Sequence, residues 1–181
     1  MQMVMNIGIW LKITGCLMVF AGCAATGMKM SLRLAERQRA LAKLMDILLS
    51  LRNQICKLGI PLFMAFENVG KESIGGVWSD IFIECGNVMR QQHIDAGEAW
   101  KKVIKKMGNS VPLDDSDWHV LSDFWELLGK SDRENQESIL DLEKENLEML
   151  EKRAGEALNT KGRLYRNLGV MGGAAAVILL L

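Results

Sequence analysis

Charge is nearly absent from both ends of this chain. Lys12 is the one Asp, Glu, Lys or Arg before Lys29, and none follows Arg166. Almost all of the 22 acidic and 22 basic residues fall between those limits. A uniform water-soluble globule does not have this layout, because both ends must leave water, into lipid or into a core. As a helix, residues 7–28 rise about 33 Å, enough to cross a bilayer core of roughly 30 Å, with Lys12 snorkelling near one end. Residues 164–181 rise about 27 Å, a short span that Arg163 and Arg166 can complete at the headgroups. We expect a transmembrane helix at 5–28, a helical domain at 29–166 and a second transmembrane helix at 167–181. The competing reading is a pair of buried terminal helices.

The flanking charges orient such a chain. Lys29, Arg33, Arg37, Arg39 and Lys43 follow the first apolar segment, with Glu36 the one acid among them. Lys152, Arg153, Lys161, Arg163 and Arg166 precede the second, again with one acid, Glu156. Both collars face the middle of the chain, so the positive-inside rule places 29–166 in the cytoplasm. A rival is offered by Phe20-Ala21-Gly22-Cys23, which resembles a lipoprotein cleavage box and would send the body outside the cell on a lipid at Cys23. Phe20 stands where such boxes usually carry Leu, and the cationic run after the segment resists export. Cys16, Cys23, Cys56 and Cys85 have no metal-like or paired spacing, so free thiols are expected in a cytoplasmic body. Equal numbers of acids and bases give no cationic excess, and nucleic acid is not an expected partner.

The middle reads as helices throughout. Leu34, Leu41, Leu48, Ile55 and Leu62 recur every seven residues, with Leu44, Leu51 and Leu58 between them. This predicts an amphipathic helix over 30–58, continuous with the first apolar segment and ended by Gly59. A short helix over 61–69 follows Pro61, and VGKESIGG reads as a turn. Helix 76–92 carries Trp78, Ile81, Phe82, Cys85, Val88 and Met89 on one side. Asp95 and Glu98 form a capping box before a helix that Gly108 ends. Asp114 or Asp115 caps the next helix, which Gly129 closes, and Ser131 with Glu134 forms a second capping box. The longest helix then runs from Asp132 to Arg166 and into the apolar tail. Its stripe is Leu140, Leu147, Leu150, Ala154, Ala157 and Leu164, widened by Ile139, Leu142 and Met149. The fold class is all-α: an antiparallel cytoplasmic bundle of about six helices between two transmembrane helices. Leu48, Leu51 and Ile55 are expected to face Leu147, Leu150 and Ala154. The apolar segments can pair through Gly169-x-x-x-Gly173 on one side and Gly15, Gly22 and Ala25 on the other.

No constellation for chemistry emerges. His93 and His119 lack Glu or Cys partners at ligand spacing and read as surface residues. Ser116, Asp117 and His119 do not make a triad, because one turn does not orient all three. Asp114, Asp115 and Asp117 read as loop and cap acids rather than a metal cluster. Gly75-Gly76 lacks the GK[ST] of a phosphate loop. The run EKENLEMLEKR is a solvated helical face with pairs such as Glu148–Lys152. Trp78, Trp100, Trp118 and Trp125 read mostly as core, with one or two available to a protein partner. The expectation is therefore no enzyme, with no catalytic, cofactor-binding or metal-binding residue and no cofactor. A membrane-bound enzyme with an unfamiliar site is the alternative.

Several short patterns resemble one family. Leu121-x-x-Phe124, Leu128-Gly129, Asp132, Gln136 and Ile139 lie in the C-terminal half, which closes on Arg166-Asn167-Leu168-Gly169-Val170-Met171-Gly172 and ILLL. SLRNQICKLGIPL carries Ile55, Pro61 and Leu62, with Ala65 beyond, and Glu98-Ala99-Trp100 also fits. Together these resemble the stage III sporulation protein AB family of endospore-forming bacteria over nearly the whole chain. The chain departs from it at Arg52 and Gln54, where the family often has acids, and at Leu58 and Trp125, where it favours Gly. The resemblance implies a component of the channel between mother cell and forespore, working with a secretion-type ATPase. It also implies a body like the helical domain of the platform proteins of type II secretion and type IV pilus systems. The implied role is a scaffold in the mother-cell membrane facing the forespore, docking the cytoplasmic ATPase to other channel-complex membrane proteins. Lipid is the second implied partner, and self-association is left open.

Overall fold

The computed structural model describes residues 2–73, 76–130 and 133–180, and every regular element in them is helical. The elements are α1 (Gln2–Arg52), a π turn (Asn53–Lys57), α2 (Leu62–Glu72), α3 (Ser79–Gln92) and α4 (Ala96–Met107). A 3₁₀ turn (Gly108–Ser110), α5 (Asp115–Lys130), α6 (Arg133–Ala157), a second π turn (Leu158–Gly162) and α7 (Arg163–Leu180) complete the chain. Two compact units result: a body, Arg37–Arg153, and a terminal unit, Met1–Glu36 with Ala154–Leu181.

The body is built on the leucine stripe of α1. Leu41, Leu44, Leu48, Leu51 and Ile55 are all buried, joined by Ala40 and Ile47. Removing each aliphatic side chain from water contributes about 1.5–3 kcal/mol, so this stripe supplies roughly 10 kcal/mol of burial before conformational entropy is counted. Leu58 is not part of it: it follows the π turn and is exposed, because the chain reverses at Gly59 in a left-handed conformation, φ 68°. The other wall is aromatic. Trp100 and Trp125 lie with ring centroids 4.6 Å apart, Phe66 and Phe82 approach Trp125 at 5.2 and 5.6 Å, and Trp78 stacks on Trp100 at 6.3 Å. The Trp78 indole donates to Ala40 O at 2.8 Å and so ties this wall to α1.

α6 runs antiparallel to α1. Gln38 donates to Glu151 at 2.9 Å, and fourteen residues further along α1 Arg52 donates to Glu137 at 2.7 Å. This register corrects one expectation. Leu48 is level with the Leu140–Asp141 turn, and Leu147 is level with Leu41 and Leu44. The stripes are the expected ones, but they are matched a little over three turns away from the expected pairing.

Other boundaries shift for local reasons. α2 continues through the expected turn to Glu72, because Gly70 is there for packing: a methyl group on it would lie 2.6 Å from Ile83 Cγ1 and 2.9 Å from Ile83 N. α5 runs through Gly129 to Lys130 instead of closing at the glycine. The expected Ser131–Glu134 capping box involves residues 131 and 132, which lie outside the described residues. Asp95 does cap α4, accepting from the Glu98 amide at 2.8 Å. Leu142 and Met149 do not widen the core stripe of α6; both are exposed.

Replacing Leu48 by Asp places a carboxylate at a 3% exposed site, and we expect a loss of about 3 kcal/mol or more. Urea unfolding of the detergent-solubilised protein, followed by tryptophan fluorescence, measures it. A midpoint equal to wild type would show that the stripe is not core.

Candidate functional site

In the terminal unit the two apolar ends pack as an antiparallel hairpin. A methyl group at Gly27 would lie 2.5 Å from Tyr165 O and 3.1 Å from Gly169 Cα. At Gly169 it would meet Cys23 O at 2.9 Å, and at Gly173 it would meet Phe20 Cδ2 at 3.0 Å and Cys23 Cβ at 3.3 Å. Glycine is thus required where the two backbones touch, which is how apolar helices associate when burial from water supplies no drive. The expected Gly169 and Gly173 are used, but their partners are Gly27, Cys23 and Phe20. Gly15 and Gly22 have no atom within 4 Å of an added methyl group. The hydroxyls of Thr14 and Thr26 bond back to Trp10 O and Gly22 O on the same helix, at 3.0 and 2.8 Å. Among the described residues one helix, the Thr14 part of α1, is long and apolar enough to cross a membrane.

In the body, Arg37 is drawn out of the expected cationic collar. Its Nε and Nη2 bind Asp117 at 2.8 and 2.9 Å, and Nη1 binds Asp114 at 2.7 Å. Asp117 is fully buried and also accepts the Asp114 amide at 3.1 Å, so the start of α5 is capped and neutralised at once. Hydrogen bonding to Asp117, opposed in part by burial, raises the Arg37 pKa above its ordinary value. Removing one member of such a pair strands a buried charge, at a cost of about 3–5 kcal/mol.

The remaining chemical candidates are dispersed. His119 pairs with Asp123 at 3.2 Å on the surface of α5, far from a triad with the occupied Asp117. His93 is the exposed left-handed C-cap of α3, φ 53°. The four cysteines are thiols rather than disulfides, and burial pushes the Cys85 thiol well above its usual pKa. Among the described residues no group of three or more His, Cys, Asp or Glu is arranged to hold a metal ion. The family departures are used internally. Arg52 binds Glu137 and Asp141, and Gln54 accepts from Asn68 at 3.1 Å while donating to Ser50 and Glu72. Trp125 sits at the centre of the aromatic wall. Of the four body tryptophans only Trp118 is partly exposed. Glu148 pairs back to Lys144 at 3.4 Å.

One surface feature was missed by sequence reasoning. α5 and α6 enclose an open groove of about 270 Å³, with Leu127, Leu142 and Met149 exposed along it and Phe124 and Leu150 beneath. Glu143 lies in its floor, 3% exposed. Asn146 donates to its Oε2 at 3.1 Å, and Oε1 has no partner among the described residues. Desolvation, partly offset by Asn146 and reinforced by Asp123, pushes the Glu143 pKa up to about 7. A heptad count places Leu142, Met149 and Glu143 on adjoining lines of one helix, but only the position of α5 shows that they stay uncovered.

The profile of the stage III sporulation protein AB family matches residues 12–181. The chain is 28% identical over 171 residues to stage III sporulation protein AB of Bacillus subtilis (strain 168), covering 94% of this chain and 99% of that protein. A solved structure of a stage III sporulation protein AB matches with a TM-score of 0.62 and 30% identity, over 68% of this chain and 97% of the other.

Two measurements follow from this geometry. In Gly173→Cys, mild oxidation is expected to yield a disulfide-linked peptide pair joining positions 23 and 173, detected by mass spectrometry; adding Gly27→Leu should suppress it. Absence of the pair in the single variant would argue against the hairpin. Between the ordinary carboxylate range and pH 7 the unfolded chain gives up the Glu143 proton while the folded chain keeps it, so native stability falls as pH rises through that window. Glu143→Gln removes this slope and should gain about 1–3 kcal/mol over wild type between pH 5 and 8, read from melting curves. A difference that does not change with pH would contradict it.

Proposed function

We propose, from the premise that this chain belongs to the stage III sporulation protein AB family, that it is a membrane-anchored, non-catalytic scaffold of a secretion-like sporulation channel. The observation that carries the reading is the outer face of the hairpin unit. Trp10, Leu17, Met18, Met171, Ile178 and Leu179 are each at least two-thirds exposed. So many large apolar side chains on one small unit need a covering, and lipid tails fit a surface without polar groups. Both apolar ends then enter one membrane, with α7 reaching the headgroups through Arg163 and Arg166.

The cationic flanks support a cytoplasmic body. Arg37 is neutralised, but Lys29, Arg33, Arg39 and Lys43 remain on one side and Lys152, Arg153, Lys161, Arg163 and Arg166 on the other. Packing of Cys23 against α7 favours an uncleaved α1 over the lipid-anchored alternative. The body then acts as the adaptor between a secretion-type ATPase and the membrane components of the channel, in the mother-cell membrane facing the forespore.

The test uses the full chain in detergent with the purified ATPase of the same host. Co-elution is expected, and its absence with a natively melting chain would end the adaptor reading. In intact cells Lys144→Cys, on the exposed face of α6, should resist an impermeant maleimide until lysis. Labelling before lysis would reverse the orientation.

A further inference from the structure

The groove between α5 and α6 is built differently from the rest of the body surface. Several acids elsewhere on the body are held by bases: Glu126 by Lys101 and Lys130 at 2.7 Å each, and Asp141 and Glu137 by Arg52. In the groove a carboxylate is nine-tenths buried with one oxygen unanswered, among exposed leucine and methionine side chains. Leaving such an oxygen without a donor is unfavourable, and exposing the flanking apolar surface adds to that. A donor on an apolar partner offsets both.

The shape specifies the donor's carrier. The lining positions of α6 run from Ile139 through Leu142, Glu143, Asn146 and Met149 to Arg153, which is four turns or about 21 Å. α5 contributes Val120, Asp123 and Leu127 at the same helical spacing. Two parallel-sided ridges of this kind accept a third helix in ridge-and-groove contact. The charges are unequal along it. Glu143 and Asp123 lie together, and Arg153 lies ten residues beyond Glu143, about 15 Å along α6.

We propose that this groove docks an amphipathic helix of another protein, which sets a Lys or Arg against Glu143 Oε1 and an Asp or Glu about ten residues away against Arg153. The helix covers Leu127, Leu142 and Met149 with its apolar side. Arg153 sets which way it lies. The inference is compatible with the adaptor reading but does not need the ATPase to be the owner of the helix.

The test places the photoreactive residue p-benzoylphenylalanine at position 142 or 149 of the full-length chain in sporulating cells. Position 49 serves as the control, since Leu49 is an exposed apolar residue of α1 outside the groove. Crosslinked peptides are sequenced by mass spectrometry. Both groove positions should capture one helical segment with the stated base-and-acid spacing, and position 49 should not. Glu143→Gln should lower the yield about tenfold, the worth of one desolvated charged contact, while the protein melts at or above the wild-type temperature. Replacing the captured Lys or Arg by Gln should give the same loss. Capture of lipid alone, of another copy of this chain alone, or of a segment without a base would overturn the proposal. So would an unchanged yield from Glu143→Gln, or no product from a natively melting chain. Failure of ATPase co-elution leaves the groove standing if a segment of another protein with this pattern is captured, so the two readings fail separately.

Discussion

The leucine stripe of α1 is the constraint on which the body depends. A helix with Leu41, Leu44, Leu48 and Leu51 along one side is not stable alone in water, and every other helix of the body helps to cover that side or the aromatic wall behind it. Position is then fixed by a few directional bonds. The Trp78 indole on Ala40 O sets α3, Arg37 on Asp114 and Asp117 sets the start of α5, and Gln38 and Arg52 set the register of α6. The apolar burial supplies most of the energy, and these bonds select one arrangement among those that bury similar area.

The terminal unit uses the opposite chemistry. Its contacts are made by what is missing, with Gly27, Gly169 and Gly173 letting backbones come within touching distance. Among the described residues of the body, glycines do this where α2 meets α3 and α4 meets α5: a methyl group at Gly86 would lie 2.7 Å from Phe63 O, and one at Gly97 would lie 2.8 Å from Glu126 Cα. Large side chains fill the remaining space, as expected where water drives burial. One chain therefore contains two packing regimes.

On the scaffold reading proposed for this member of the stage III sporulation protein AB family, the protein acts by holding others. Such a protein is read through its surface. Several exposed charges on the body are paired with one another, as in Lys101–Glu126–Lys130 and His119–Asp123, and such surface pairs contribute little to recognition. The uncovered apolar line on α5 and α6, with Glu143 beneath it, is the part of the described surface whose chemistry is incomplete.

The all-helical class, the α1 stripe, the Asp95 cap and the stop at Gly59 were legible in the sequence, because each is set within one or two turns by periodicity, capping or backbone freedom. Family membership was legible for a similar reason, since its patterns are short and local. What sequence could not supply was which helix lies beside which, and at what height. Gly70 looks like a breaker until Ile83 occupies the space beside it, Arg37 looks like a topogenic charge until Asp117 is brought to it, and Leu142 looks like core until α5 is found to leave it bare. Those outcomes depend on contacts between residues up to 80 positions apart, where a shift of one or two residues turns a buried face outward, and only the packed tertiary structure decides that.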